Sequence, residues 1–302
     1  MRRVLTSKEL TWHVLAEPSP EELAEFVRES NLSPLDAEFI AQERQRPEVV
    51  ARAGYVLILI QVPVFQRVER VTRGVNLYLV VREGIVSTLH FEPLVVLDSL
   101  YEELEKQAEQ REEYFGATAL PLARYLIRRL LSTAFDKLEK LNKHIEIAED
   151  AVFHGNERKM VEEVALLTRD VMDFRRVIRP QRRLFYEAPT HALVQEDSRE
   201  AWRRQAAQMA KLWDILESLA EAVKQLGKTN YALLQHKENQ LLRVLTLYSI
   251  LTIPIMILVD PFFSPRAVHA SRVDVIVFWV LFIAAVGMLV ATLWRFRGKR
   301  IF

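Results

Sequence analysis

Polar side chains recur along an otherwise apolar segment near the carboxyl end of the chain, and together they could guide a cation. This segment, residues 241–263, reads LLRVLTLYSILTIPIMILVDPFF. On a helical wheel of about 100° per residue, one stripe about 100° wide holds a mixed polar and apolar set. Its members are Asn239, Leu242, Thr246, Ser249, Ile253, Met256 and Asp260. Amide, hydroxyl and carboxylate oxygens suit hard cations such as Mg²⁺, so the stripe is a candidate cation pathway.

Two interpretations of this stripe remain open at the level of sequence. In the first, several copies of the helix assemble with the stripe facing a shared water path, because one helix cannot enclose one. In the second, the Thr and Ser hydroxyls bond back to their own helix. Asp260 then begins a turn with Pro261, or pairs with Arg266 or Arg272.

The elements that would position the stripe are two predicted membrane spans. The first covers 241–263 and continues a long helix, and the second covers 274–295 around an uncharged run of twenty residues from Val275 to Trp294. A predicted periplasmic loop, 264–273, joins them, and a basic cytoplasmic tail, 296–302, follows. The positive-inside rule makes the carboxyl end cytoplasmic, with Arg295, Arg297, Lys299 and Arg300 as a basic inner collar. Two spans return the amino terminus to the same side.

The pattern of the first 240 residues predicts two further regions, an α/β domain and a helical stalk. Residues 1–118 predict a cytoplasmic α/β domain, with strands at Tyr55–Phe65, Val75–Val81 and Ile85–Leu89 and with helices that begin near Ser19 and Pro34. Residues 119–240 predict a long-helix stalk or funnel, broken at FHGNER. The final helix of the stalk runs uninterrupted into the first span. The fold class is therefore an α+β membrane protein.

Composition and the absence of common motifs exclude several classes of function. The chain has 41 Lys and Arg against 40 Asp and Glu, so its total charge indicates no nucleic-acid partner. The absence of cysteine excludes disulfides and thiolate sites. The first residues lack the apolar run of a secretory signal. No phosphate-binding loop and no catalytic motif of the common enzyme classes is present, so we do not expect an enzyme.

Several stretches resemble the CorA family of divalent-cation channels. Besides LLRVLTLYSILTIPIMIL, they are LTSKELTWHVLAEPSPEELAEF, RPEVVARAGYVLILIQVPVF and FEPLVVLDSLYEEL. The resemblance implies a homopentamer in the inner membrane, a funnel of long helices and a central pore lined by the first span. It adds Leu245 to the pore-lining stripe. It also implies gating by cytoplasmic cations on acidic residues, for which the candidates are Glu102, Glu103, Asp136, Glu146, Asp150, Asp170 and Asp173.

The chain departs from this family at the outer mouth. Family members end the pore helix with Tyr-Gly-Met-Asn, whereas Phe262, Phe263, Ser264 and Pro265 stand here. A ring of Asp260 carboxylates is a candidate substitute, because anionic oxygens attract hard cations. His269 in the loop could meet a borderline ion such as Zn²⁺, although a single exposed histidine is more often simply solvated.

These features lead to one expectation and one alternative. We expect a passive channel for divalent metal cations, Mg²⁺ by family and Zn²⁺, Co²⁺ or Ni²⁺ as further substrates. No covalent cofactor is expected; the divalent cation is the expected substrate and a candidate regulator. The partners are other copies of the chain, lipid and metal ions, with no nucleic acid. The alternative is a CorA-like membrane sensor or scaffold that does not conduct.

Overall fold

A computed structural model describes residues 2–42, 45–66, 68–115, 118–187 and 196–263, and most of 276–287. The chain divides into two compact units, Met1–Asn230 and Tyr231–Phe302. The first unit contains a sheet of six strands with helices on both faces. The predicted domain boundaries at 118 and 240 stay predictions.

The strands of the sheet are β1 (Arg2–Ser7), β2 (Leu10–Ala16), β3 (Glu48–Ala51), β4 (Tyr55–Gln66), β5 (Val71–Arg82) and β6 (Ile85–His90). Their order in the sheet is β1-β2-β6-β5-β4-β3. Only the β2–β6 pair is parallel among these strands, and Trp12 lies opposite Val86 in its register. The three predicted strands are confirmed as β4, β5 and β6, which form the central hairpins. The remaining three strands were not predicted.

Two short helices cover one face of the sheet, α1 (Pro20–Glu29) and α2 (Pro34–Ala41). Both begin where the sequence predicted. Ser19 accepts from the backbone N–H of Glu22 while the Glu22 side chain accepts from the Ser19 backbone, so α1 starts with a complete capping box. Phe26 and Ile40 bury their side chains against Leu57 and other strand residues on this face.

Long helices cover the opposite face. Since side chains alternate along a strand, Ile60 and Val62 of β4 point away from the α1–α2 core and line a small cavity with Ile127 and Ile178. These contacts come from α5 (Ala119–Phe153) and α6 (Glu157–Glu187), which follow α3 (Val95–Lys106) and α4 (Ala108–Tyr114). The predicted break at FHGNER is confirmed between α5 and α6.

The last long helix, α7, runs from Glu196 to Phe263 over 68 residues. At about 1.5 Å per residue it is about 100 Å long. Up to Asn230 it buries one residue in every three or four. This buried face consists of Trp202, Gln205, Met209, Leu212, Leu216, Leu219, Val223, Leu226 and Asn230, and Trp213 and Ala220 beside it are also buried. The spacing is that of a helix with one face in a core. The predicted uninterrupted helix is confirmed.

Candidate functional site

The predicted stripe lies entirely on α7. Every position from Asn239 to Asp260 has helical backbone, so the helix carries all eight predicted pore-lining residues, Leu245 included, on one side. Of these, Asn239, Leu242, Leu245, Thr246, Ser249, Ile253 and Met256 have side chains that are described and exposed. The helix thus holds the stripe in the arrangement that the wheel predicts. Whether the stripe lines a pore stays a prediction.

The apolar side chains of this segment are also exposed, on the stripe and beside it. Leu241, Leu242, Val244, Leu245, Tyr248, Ile250, Ile253 and Met256 are each more than half exposed. This pattern differs sharply from that of α7 before Asn230, where apolar residues on one face are buried. A continuous apolar surface of this kind marks a place where lipid or another protein surface binds.

The hydroxyl groups of the segment donate to their own helix. Thr246 Oγ1 donates to the carbonyl of Leu242 at 2.8 Å, and Ser249 Oγ donates to that of Leu245 at 3.0 Å. Thr252 Oγ1 makes the same bond to Tyr248 at 2.8 Å. The interpretation in which these hydroxyls bond back is therefore confirmed. It does not compete with a role in ion passage, because a donating hydroxyl keeps its oxygen lone pairs as acceptors.

The end of the stripe is helical as well. Helix α7 continues through Asp260 and Pro261 to Phe263, so the interpretation in which Asp260 begins a turn is wrong. The side chain of Asp260 lies outside the described part of the chain. So do Ser264, Pro265 and His269, and the collar of Arg295, Arg297, Lys299 and Arg300.

Among the residues that the structure describes, no helix is both long enough and apolar enough to cross a membrane. The predicted second span is described only in part, between 276 and 287, where the described backbone is helical.

The acidic residues considered as cation sensors mostly have partners within the same chain. The pairs are Glu102 with Lys106, Glu103 with Arg129, Glu146 with Asn142, Asp150 with His154, Asp170 with Lys137, and Asp173 with Arg176. No group of three or more His, Asp or Glu side chains in the described residues could hold a metal ion.

One of these acids belongs to a buried polar cluster that the sequence did not predict. Lys137 of α5 donates to the hydroxyl of Thr72 on β5, which in turn donates to Asp170 of α6. Lys137 Nζ is 3.7 Å from the Asp170 carboxylate and 4.8 Å from the centre of the Phe65 ring. Burial lowers the pKa of Lys137 to about 8, although the charge of Asp170 opposes this shift. The cluster links the two long helices to the sheet.

Comparisons with known proteins identify the fold and the family. The family model described as "CorA-like Mg2+ transporter protein" matches residues 7–260. The cobalt/magnesium transport protein CorA of Thermotoga maritima is 22% identical over 232 residues, which cover 74% of this chain and 64% of that protein. The chain thus matches less than two thirds of this relative's length.

Two solved structures show the same fold over nearly the whole chain. The complete CorA magnesium transporter of Methanocaldococcus jannaschii has a TM-score of 0.79 and 18% identity, with coverage of 99% of this chain and 92% of that one. The full-length CmaX protein has a TM-score of 0.73 and 18% identity, with coverage of 96% and 88%. The family is one of transporters rather than enzymes. The matched residues, 7–260, include most of the first unit and extend along α7 to Asp260. This chain belongs to the CorA-like Mg²⁺ transporter family.

Proposed function

We propose that this chain is a passive membrane channel for a divalent metal cation, formed by five copies that gather α7 around a central pore. In this arrangement 241–263 and 274–295 cross the inner membrane, and both termini lie in the cytoplasm. Mg²⁺ is the first candidate substrate because of the family, and Zn²⁺, Co²⁺ and Ni²⁺ are the others.

One observation supports this proposal more than any other: a polar stripe on an exposed, largely apolar helix. The Thr246 and Ser249 hydroxyls donate their protons to carbonyls of their own helix. Their oxygen lone pairs remain free to accept hydrogen bonds from outside the helix. A hydrated Mg²⁺ ion presents water protons, and it releases its water reluctantly. Rings of acceptors suit such an ion, while rings of Leu242, Leu245, Ile253 and Met256 suit a gate that closes by dewetting.

The test is a flux assay with purified protein in vesicles that enclose a fluorescent metal reporter. We expect Mg²⁺-dependent signal above that of empty vesicles, and the same assay with Zn²⁺, Co²⁺ and Ni²⁺ ranks the substrates. Ser249→Ala should reduce flux at least about fivefold, since the loss of even one hydrogen bond to the ion's water costs about 1 kcal/mol, which is a factor of about five, and every copy loses its acceptor.

Thr252→Ala is the matched control for Ser249→Ala. Thr252 makes the same bond to its helix but lies at or just beyond the edge of the stripe. Its replacement should leave flux near the wild-type rate. Equal loss in both variants would show that the hydroxyls matter for the helix and not for the ion.

Asp260→Asn tests the proposed carboxylate ring at the outer mouth. The loss of this charge should lower flux more at low ionic strength than at high, because salt screens the attraction between the ring and the cation.

The second candidate function is a CorA-like sensor or scaffold that does not conduct. The sequence feature in its favour is Phe263-Ser264-Pro265 in place of Gly-Met-Asn. An intact pentamer without metal-dependent flux in wild-type vesicles would support it and contradict the channel.

A further inference from the structure

A second charged feature lies on the first unit, at a groove between α6, the segment before β3, and α7. The groove encloses about 1120 Å³. Its charged lining, among the described residues, consists of Arg46, Arg175, Arg176, Arg179, Arg183 and Glu48. Five positive groups against one negative group give a formal net charge of +4. We call this feature the arginine groove.

The spacing along α6 aligns four of these arginines. Arg175, Arg179 and Arg183 are successive i, i+4 positions, and Arg176 lies on the same side. At about 100° and 1.5 Å per residue, the four fall within an arc of about 100° and extend over about 12 Å. The groove therefore presents a row of charges and not a single one.

Neighbouring carboxylates neutralise the row only in part. Arg175 lies 3.6 Å from Glu217, and Arg176 lies 3.5 Å from Asp173. Within the described residues, no carboxylate lies within ion-pair distance of Arg46 or Arg179. Among the described residues, Arg46 and Arg179 thus leave the groove with an excess of positive charge, which an anionic ligand would balance.

An aromatic side chain fixes part of the row in place. Trp213 of α7 is 7% exposed and donates its indole N–H to Glu217 at 3.0 Å. The guanidinium carbon of Arg175 lies 5.4 Å from its ring centroid, and that of Arg182 lies 4.8 Å away on the same ring. Such stacking orients Arg before any ligand binds and reduces the entropy lost on binding.

We infer that the arginine groove binds a polyphosphate group. Guanidinium groups match phosphate oxygens in pairs of parallel hydrogen bonds, and a row about 12 Å long exceeds the size of one phosphate or carboxylate. A chain of several phosphates supplies both the length and the charge that the row requires. This inference goes beyond the proposed function and does not depend on it.

A neighbouring cavity bears on which molecule would carry the phosphates. This cavity shares Arg46 with the groove, and its lining includes Gln45, Asn76 and Tyr78. Amide and phenol groups can bind a nucleoside, so the phosphates could belong to a nucleoside triphosphate or to an inorganic chain. The experiment separates the two sources.

Binding of sodium tripolyphosphate and of metal-free ATP is measured by titration calorimetry on the full chain in detergent. We expect Arg46→Gln and Arg179→Gln each to weaken binding about tenfold or more, the usual effect of a lost charge-assisted hydrogen bond. Arg203→Gln is the matched control, since Arg203 is exposed on α7 and does not line the groove. It should bind as the wild type does.

The remaining outcomes are decisive. Tighter binding of ATP than of tripolyphosphate, weakened by Asn76→Ala, assigns the site to a nucleotide; equal binding assigns it to the phosphate chain alone. The inference is overturned if millimolar tripolyphosphate gives no heat, if Arg203→Gln weakens binding equally, or if sulfate binds as tightly. It is also overturned if Arg179→Gln instead changes the size of the assembly, since an acidic segment of another copy would then occupy the groove.

Discussion

Lys137→Met should change how stability depends on pH, and the buried cluster of Lys137, Thr72 and Asp170 sets the size of the change. The side chain of Lys137 is 14% exposed, and that of Asp170 is 13% exposed. The aromatic rings of Phe65 and Phe174 lie 4.8 Å and 5.2 Å from the ammonium. Methionine has similar length and keeps these apolar contacts without carrying a charge.

The magnitude follows from the pKa of Lys137, about 8 when folded against 10.5 as its ordinary value. Below pH 8 both folded and unfolded chains hold the proton, so the folded chain bears the full cost of a buried charge. Between pH 8 and 10.5 the folded chain has lost this proton while the unfolded chain keeps it, so stability rises with pH. From pH 7 to pH 10 the gain is about 2.5 kcal/mol.

The assay compares free energies of unfolding for the wild type and Lys137→Met by denaturant titration at several values of pH between 7 and 10. The difference between the two proteins isolates the lysine, because other titrating groups contribute equally to both. We expect this difference to shift in favour of the wild type by about 2.5 kcal/mol over the range. Lys140→Met removes an exposed lysine of the same helix and is the control. Its free energy of unfolding should change with pH in parallel with that of the wild type. Parallel profiles for Lys137→Met as well would refute the reasoning.

Three further substitutions test the first unit by denaturant titration. Asp36→Asn should cost about 2 kcal/mol at pH 7, because Asp36 accepts from Arg52 at 2.8 Å and 2.9 Å. Those bonds hold the pKa of Asp36 well below its usual range, so the deficit should shrink as pH falls from the ordinary carboxyl pKa toward that low value. Gly74→Ala should cost about 1–3 kcal/mol, because its Cβ would lie 3.1 Å and 3.2 Å from the methyl groups of Val177, and Val177→Ala in the same chain should recover part of it. Leu212→Ala should cost about 2–5 kcal/mol, since Leu212 is 0% exposed, and a smaller loss would contradict its place in the core.

Local signals made part of this fold predictable. The capping box at Ser19 and Glu22 marks a helix start within four residues, and the apolar runs of β4 to β6 are each bounded by turn residues. By contrast, β2 pairs in parallel with β6, which lies about 75 residues later in the chain. No tight turn joins the two strands, so the sequence around β2 does not indicate this pairing. Strands of this kind depend on tertiary contacts more than on their own sequence.

The Lys137 cluster and the arginine groove could not be predicted for the same reason. Lys137 lies in a helix rich in charged residues, and its burial depends on Thr72 and Asp170, which are distant in sequence. The run RRVIRPQRR reads as an ordinary solvated helix face, and it forms a groove only because Arg46 and Trp213 lie beside it. Helix periodicity predicts which side chains share a face, but not which distant residues meet that face.

The surface of α7 after Asn230 constrains what can surround it. Eight apolar side chains between Leu241 and Met256 are each more than half exposed. Four of these side chains, Leu241, Val244, Tyr248 and Ile250, lie off the stripe. At about 1.5–3 kcal/mol for the full burial of each, exposing these four to water forgoes about 6–12 kcal/mol, which is comparable to the whole stability of a typical domain. An apolar cover is therefore needed over this side of the helix. On the stripe, the same cover would cost the acceptor oxygens of Thr246 and Ser249 their hydrogen bonds to water. A helix with two such sides favours a position between apolar material and water, which is the position that the proposed assembly of copies around an axis would give it.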